Sequence, residues 1–142
     1  MKLAEEELRE AVAKLDLARA QLDGLMRQGE LLRMSLEEHM RAKETISGYS
    51  GTKEGGELLV PVGANCFVFA TVGNKAEMIV GLGSDVAIQD SAEGAISRLD
   101  KRIEDLSAAE EELEKRIAEL DSEVAQLSQQ VQTKYEEYRS QA

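Results

Sequence analysis

The chain has 142 residues and a formal net charge of -11, and aromatic residues make up only 4% of it. So few large side chains and so much charge argue against a compact ball around one large core and favour an extended shape. No Lys/Arg cluster stands free of intervening acids, so we expect no nucleic acid and no anionic membrane surface as a partner. No run approaches the roughly 18 to 20 apolar residues of a spanning helix, so no membrane insertion is expected.

Cysteine and histidine content sets further expectations. The single cysteine, Cys66, excludes an internal disulfide, and the first ten residues lack the apolar stretch of a signal peptide, which together predict a cytoplasmic protein. A catalytic thiol would need a histidine partner, but the only one, His39, is far along the chain, so we interpret Cys66 as a small buried hydrophobe. Neither a metal site nor a cofactor is expected.

Glycine and proline divide the chain into three segments. Nine of the 11 glycines lie between Gly48 and Gly94, and the only proline is Pro61. Both residue types interrupt regular helices, so the pattern predicts a helix over 1–47, a β-rich insert over 48–92 and a helix over 93–142.

Both outer segments carry apolar residues at alternating three- and four-residue steps, which is typical of a coiled-coil seam. In the C-terminal segment isoleucine, valine and leucine fill nearly every seam position, with exceptions at Glu110 and Lys134. In the N-terminal segment we assign leucine to most d positions and the small residues Ala4, Ala11 and Ala18 to a positions.

Two seams of equal length predict an antiparallel helical hairpin. Placing a layers against d layers gives opposed residues whose numbers add to about 139, so Leu8 faces Val131 and Gly29 faces Glu110. A shift of seven residues fits the heptads equally, but this register closes the hairpin around the insert.

The insert predicts four strands in two hairpins, with the sequences ELLVPV, CFVFATV, MIVGLG and VAIQ. The segment GLGSD, Gly81–Asp85, is interpreted as a turn because it lacks the spacing and the lysine of a phosphate-binding loop. Both alternating faces of CFVFATV are apolar, so another chain must cover the second face. Short strands with open edges are marginally stable alone, and the insert is therefore predicted to oligomerise.

The segments ELLVPVGANCFVFATV, EMIVGLGSDVAI and EGAISRLDKRIEDL resemble the central signature of archaeal prefoldin α subunits, over about residues 57–106. The insert of about 46 residues fits the α class, since β-class subunits carry a single hairpin in a shorter connection. The sequence departs from the pattern at Ala64–Cys66, where many relatives carry a glycine or serine stretch, so the turn conformation there is left open.

The resemblance implies an α+β fold, with a long antiparallel coiled-coil hairpin and a central β-domain of two hairpins that forms an intersubunit β-barrel. It implies a hexamer of two α and four β subunits whose arms bind unfolded polypeptides without ATP and deliver them to a group II chaperonin. No catalytic residue is then expected. A structural coiled-coil tether or adaptor with a β oligomerisation module is the alternative.

Two groups of site residues follow. The small residues among the distal seam positions predict that the arm end opens easily and exposes apolar residues to an unfolded chain. The candidate client-binding residues are Leu8, Leu15, Val124, Leu127, Val131, Tyr135 and Tyr138. The candidate oligomerisation residues are Leu59, Val60, Val62, Phe67, Val68, Phe69, Ile79, Val86 and Ile88.

Overall fold

The computed structural model describes residues 2–75 and 77–142. Helix α1 spans Lys2–Ser50 and helix α2 spans Ala92–Gln141. Between them lie four strands, β1 (Glu57–Gly63), β2 (Cys66–Thr71), β3 (Met78–Gly83) and β4 (Val86–Asp90). The predicted order of helix, two hairpins and helix is confirmed.

The chain divides into two compact units. The first contains α1 up to Met34 together with α2 from Ser107 onward, and the second runs from Ser35 to Leu106. In both units the two helices face each other along the predicted seam. Every described seam position is buried or half-buried, including Leu15 and Leu113 in the first unit and Leu106 in the second. The coiled-coil pattern is therefore confirmed on both helices.

The predicted seam register is wrong by about three residues. The numbers of opposed residues add to 141 for Glu7 and Lys134, to 142 for Gly29 and Leu113, and to 143 for Lys43 and Asp100. Gly29 therefore lies against Leu113 rather than Glu110.

The cause of the error is the assignment of seam letters on α1. The step from a to d is three residues, and Leu8 precedes Ala11 by three, so leucine occupies a and alanine occupies d on this part of the helix. With this phase, the same rule of a layers against d layers places Ala11 opposite Val131 and Leu15 opposite Leu127. Packing of a layers against d layers was therefore predicted correctly, whereas the a and d letters on α1 were interchanged.

The two hairpins have the same strand pairing and the same type of turn. β1 pairs antiparallel with β2, β3 pairs antiparallel with β4, and each pair forms its own two-stranded sheet. Ala64 and Asn65 connect the first pair and Ser84 and Asp85 the second, all four with φ between 50° and 59°. Two consecutive residues with positive φ form the type I′ turn that matches the twist of hairpin strands. The turn conformation left open at Ala64 is thus settled, although a left-handed alanine costs about 1–2 kcal/mol.

Hydrogen bonds from side chains and from the backbone are found where the helices meet the insert. Ser91 is the N-cap of α2, because its Oγ accepts a 3.0 Å hydrogen bond from the Gly94 N–H. Lys75 Nζ donates to the carbonyl of Ser50, the last residue of α1, and to that of Thr52. Val72, which is buried, exchanges two backbone hydrogen bonds of 2.8 Å with Gly55 and Gly56. These contacts connect the hairpins to the helix ends within the second unit.

Candidate functional site

The first hairpin exposes apolar side chains on both faces. The register pairs Leu59 with Phe69 on one face and Val60 with Val68 on the other. All four side chains are exposed, and Phe69 is 82% accessible. Exposed apolar surface on two faces of one sheet is unfavourable in water and marks a surface that another chain covers.

The two faces of the second hairpin differ in the exposure of their side chains. Val80 pairs with Ile88, and both are half-buried. On the opposite face Ile79 is 77% accessible and pairs with Gln89. Both hairpins also keep two open edges, since each sheet has only two strands. Open edges offer unpaired N–H and C=O groups to a partner strand.

The predicted oligomerisation residues are nearly all exposed in the single chain. Ile88 is the half-buried member of the set. The exposed members are Leu59, Val60, Val62, Phe67, Val68, Phe69, Ile79 and Val86. Leu82 of β3 is also exposed, although it was not among the predicted oligomerisation residues.

The expected burial of the Cys66 side chain is wrong. The sequence suggested a buried side chain, but the thiol is exposed and donates only a long hydrogen bond of 3.6 Å to the Ala64 carbonyl. Cys66 lies on the same face of the first hairpin as Val68, whose side chain is also exposed.

The predicted client-binding residues lie together in the first unit, at the end where both termini are found. Leu15 is only 6% accessible, so a bound chain can reach it only if the seam opens. Tyr135 is exposed already. The remaining members, all half-buried, are Leu8, Val124, Leu127, Val131 and Tyr138.

Lys134 ends the apolar part of the seam with a charged layer. Its Nζ lies 3.0 Å from Glu7 on α1 and 3.3 Å from Glu137 on α2. These hydrogen bonds, the one to Glu7 first, raise the pKa of Lys134 above its ordinary value. Next to them Ala11 lines a cavity of about 610 Å³ between the helices. At this end of the first unit, charge and open space thus take the place of apolar packing between the helices.

Farther along the first unit lies a packing defect. Gly29, Leu113, Glu110 and Arg33 line a cavity of about 280 Å³. The Glu110 Oε2 atom is buried and has no hydrogen-bond partner among the described residues. Glu110 and Gly29 occupy neighbouring layers rather than the same layer, yet both border this one cavity.

Two other kinds of site receive no support in the described part of the chain. Over residues 2–75 and 77–142, no group of three or more His, Cys, Asp or Glu side chains could hold a metal ion. His39 is half-buried at its seam position and its Nδ1 lies 2.6 Å from the Ser35 carbonyl. Neither described helix contains a stretch apolar enough to cross a membrane.

Solved structures share this architecture. A filamentous prefoldin from Methanocaldococcus jannaschii is 27% identical, matches 87% of this chain and 96% of its own, and superposes with a TM-score of 0.52. The prefoldin β subunit of Thermococcus strain KS-1 superposes with a TM-score of 0.60 over 89% of this chain and 90% of its own. At 16% identity, the second likeness concerns the fold alone.

Sequence comparison gives the family. The family model described as a prefoldin subunit matches residues 18–137. Prefoldin subunit alpha of Methanopyrus kandleri is 31% identical over 76% of this chain and 69% of its own length. Prefoldin subunit alpha 1 of Thermococcus kodakarensis is 33% identical over 69% of this chain and 67% of its own. The β-barrel expected from the resemblance forms between subunits and is therefore absent from a single chain. With the signature in the hairpins, the paired helices and this match over most of its length, the chain belongs to the prefoldin family of chaperone subunits.

Proposed function

We propose that this chain is the α-class subunit of an ATP-independent holdase that binds unfolded polypeptides and delivers them to a group II chaperonin. Two copies would assemble with four prefoldin β subunits in the cytoplasm. The chaperone role follows from membership of the prefoldin family.

The observation that carries the assembly step is the exposure of the hairpins. The side chains of Phe69, Ile79 and Val68 are exposed in the described part of the chain. Burial of such side chains contributes about 25 cal/mol per Å² of apolar surface removed from water. Partner hairpins that pair with the open edges would supply both the cover and the missing backbone hydrogen bonds.

The weak end of the first unit supports the binding step. Its small seam residues and the charged layer at Lys134 bury fewer methylene groups per layer than the leucine layers do. Local opening there would expose Leu15 and Leu127 to an unfolded chain, while Tyr135 adds an amphipathic ring that is already accessible. Exposed apolar and amphipathic side chains are sufficient for a holdase, which needs no catalytic residue.

The test is suppression of aggregation of a chemically unfolded protein, measured by light scattering with this chain and its matching β subunit. We expect full suppression at a stoichiometric amount of complex without added ATP. A complex lacking residues 1–10 and 128–142 should assemble normally and suppress aggregation more weakly. Full suppression by the truncated complex would move client binding toward the hairpins. No suppression by the intact complex would favour the structural tether.

A further inference from the structure

The second hairpin passes into α2 without a linker. β4 ends at Asp90 and α2 begins at Ala92, so Ser91 is the only residue between them. Ala95, in the first turn of α2, is only 1% accessible, and its N–H donates to the Ser91 carbonyl. The direction in which this hairpin leaves the helix is therefore set within a few residues.

The Asp90 carboxylate connects the two sides of this junction. Its Oδ1 accepts a 2.8 Å hydrogen bond from the Ser91 N–H, and its Oδ2 accepts a 2.9 Å hydrogen bond from Arg98 Nε in the second turn of α2. In the part of the chain that the structure describes, Asp90 and Arg98 form the only ion pair that joins a strand to a helix. One side chain of β4 thus holds the hairpin to the start of α2.

Gly94 leaves the space that this carboxylate occupies. A Cβ at this position would overlap the Asp90 carboxyl group, with Cγ 2.5 Å and Oδ2 2.6 Å away. Because van der Waals contact requires about 3.5 Å or more, any side chain at 94 would displace the carboxylate from Ser91 and Arg98. The backbone of Gly94 is α-helical, where glycine is less favourable than alanine. The close approach of Asp90 is therefore what requires a glycine here.

A contribution to stability does not account for this arrangement. The Asp90 and Arg98 side chains are 25% and 49% accessible, and solvent-exposed ion pairs contribute little to the free energy of unfolding. The second hairpin is a separate two-stranded sheet with Ile79 and Val86 exposed. Fixing its direction before a partner binds lowers the entropy that assembly would otherwise have to remove.

We propose that Asp90, Gly94 and Arg98 are positioning residues for assembly, which hold the second hairpin in the direction in which a partner chain covers its exposed apolar side chains. This inference rests on the proposed assembly with β subunits and assigns a role in it to residues at the start of α2. Gly94 leaves room for the carboxylate, Arg98 holds it, and Asp90 joins the hairpin to the helix. The three residues act through the hairpin and need no contact of their own with the partner.

Gly94→Ala separates positioning from helix stability. Alanine is the better helix former, so circular dichroism at 222 nm should show no loss of helix. The affinity for the β subunit, measured by sedimentation velocity, should fall roughly fivefold because the carboxylate is displaced. In an Asp90→Ala background the overlapping atoms are absent, so Gly94→Ala should have no further effect on assembly. Gly24→Ala is the matched control, since a Cβ there meets nothing within 4 Å, and should assemble like the wild type.

Substitutions of Arg98 test the other side of the contact. Arg98→Met keeps an unbranched stem without the guanidinium and should weaken assembly roughly fivefold, to the same extent as Asp90→Ala. Arg98→Lys can still donate to Asp90 and should restore most of the affinity. Arg102→Met, one helical turn farther along α2, is the control for loss of a positive charge and should assemble normally.

Unchanged assembly of Gly94→Ala or of Arg98→Met would overturn the inference. An equal loss in Arg102→Met would overturn it too, because charge alone would then explain the effect. So would an equal loss from Gly94→Ala in the wild-type and Asp90→Ala backgrounds. The wild-type chain is the reference throughout: if it forms no complex with the β subunit, the proposed assembly itself is contradicted, whereas wild-type assembly with unchanged variants contradicts only the positioning role.

Discussion

Gly29 of α1 lies directly against Leu113 of α2, because a Cβ on Gly29 would sit 3.5 Å from Leu113 Cδ2 and 3.9 Å from Ile117 Cδ1. Both distances are ordinary van der Waals contacts. The glycine is therefore not required by a close approach of the helices, and the seam has room for a side chain at this layer.

Gly29→Ala should stabilise the arm. Replacing a mid-helix glycine by alanine contributes about 1 kcal/mol through helix propensity. The added methyl group also contacts Leu113 and Ile117, and a buried methylene adds roughly 0.8 kcal/mol. Thermal unfolding of the assembled complex, followed by circular dichroism at 222 nm, measures the gain. Gly24→Ala is the control, since it offers propensity without contact, and an equal gain in both variants would contradict the seam contact.

Gly29→Leu and Glu110→Ile should be coupled. Leucine alone should be close to neutral or mildly destabilising, because it faces the buried Glu110 carboxylate across their shared cavity. Isoleucine at 110 removes the unpaired oxygen and continues the seam, so the double variant should be more stable than the wild type. Coupling between neighbours amounts to roughly 0.5–3 kcal/mol. Additive single effects in a double-mutant cycle would show that the two side chains do not share the cavity.

The pKa of Asp90 should respond to Arg98. Hydrogen bonds from the Arg98 guanidinium, 2.9 Å away, and then from the Ser91 N–H hold the Asp90 carboxyl below its ordinary pKa of 3.8. A lowered carboxyl pKa means that this contact stabilises the fold above the ordinary value and is lost as the pH falls through the lowered one. Arg98→Gln should return the Asp90 pKa toward 3.8 in a carboxyl NMR titration. Arg102→Gln is the control, and an unchanged Asp90 pKa in Arg98→Gln would contradict the contact.

Val68→Asp should prevent assembly while leaving the helices folded. Val68 pairs with Val60 on an exposed apolar face of the first hairpin, and a charge buried there without a partner is strongly unfavourable. Sedimentation of the variant mixed with its β subunit should show loss of the complex. Ser97→Asp, at an exposed polar position of α2 in the second unit, is the control and should assemble like the wild type. Normal assembly of Val68→Asp would exclude this face from the interface.

Local patterns predicted much of this fold, and tertiary features explain where they failed. Strand β2 could be predicted because the alternation of side chains and the turn residues are local features of the sequence. The seam on α2 could be predicted from the three- and four-residue spacing of its apolar residues alone. The register failed because the a and d letters on α1 were interchanged, which set each layer of α1 against the wrong layer of α2. The conformation of the turn at Ala64 could not be predicted, since the positive φ of this alanine is imposed by the hairpin and not by its own preference. Exposed apolar residues of α1 such as Leu17 and Leu31 were not predicted because the seam already accounted for the apolar periodicity of this helix.

Assembly through the hairpins is the central claim, and native mass spectrometry of this chain co-expressed with its β subunit tests it most directly. We expect one dominant species whose mass equals two copies of this 15.6 kDa chain and four copies of the β subunit. The chain without the β subunit should not remain a stable monomer, because its apolar hairpin faces stay exposed. A monodisperse monomer of this chain at micromolar concentration, in the presence of the β subunit, would contradict the account.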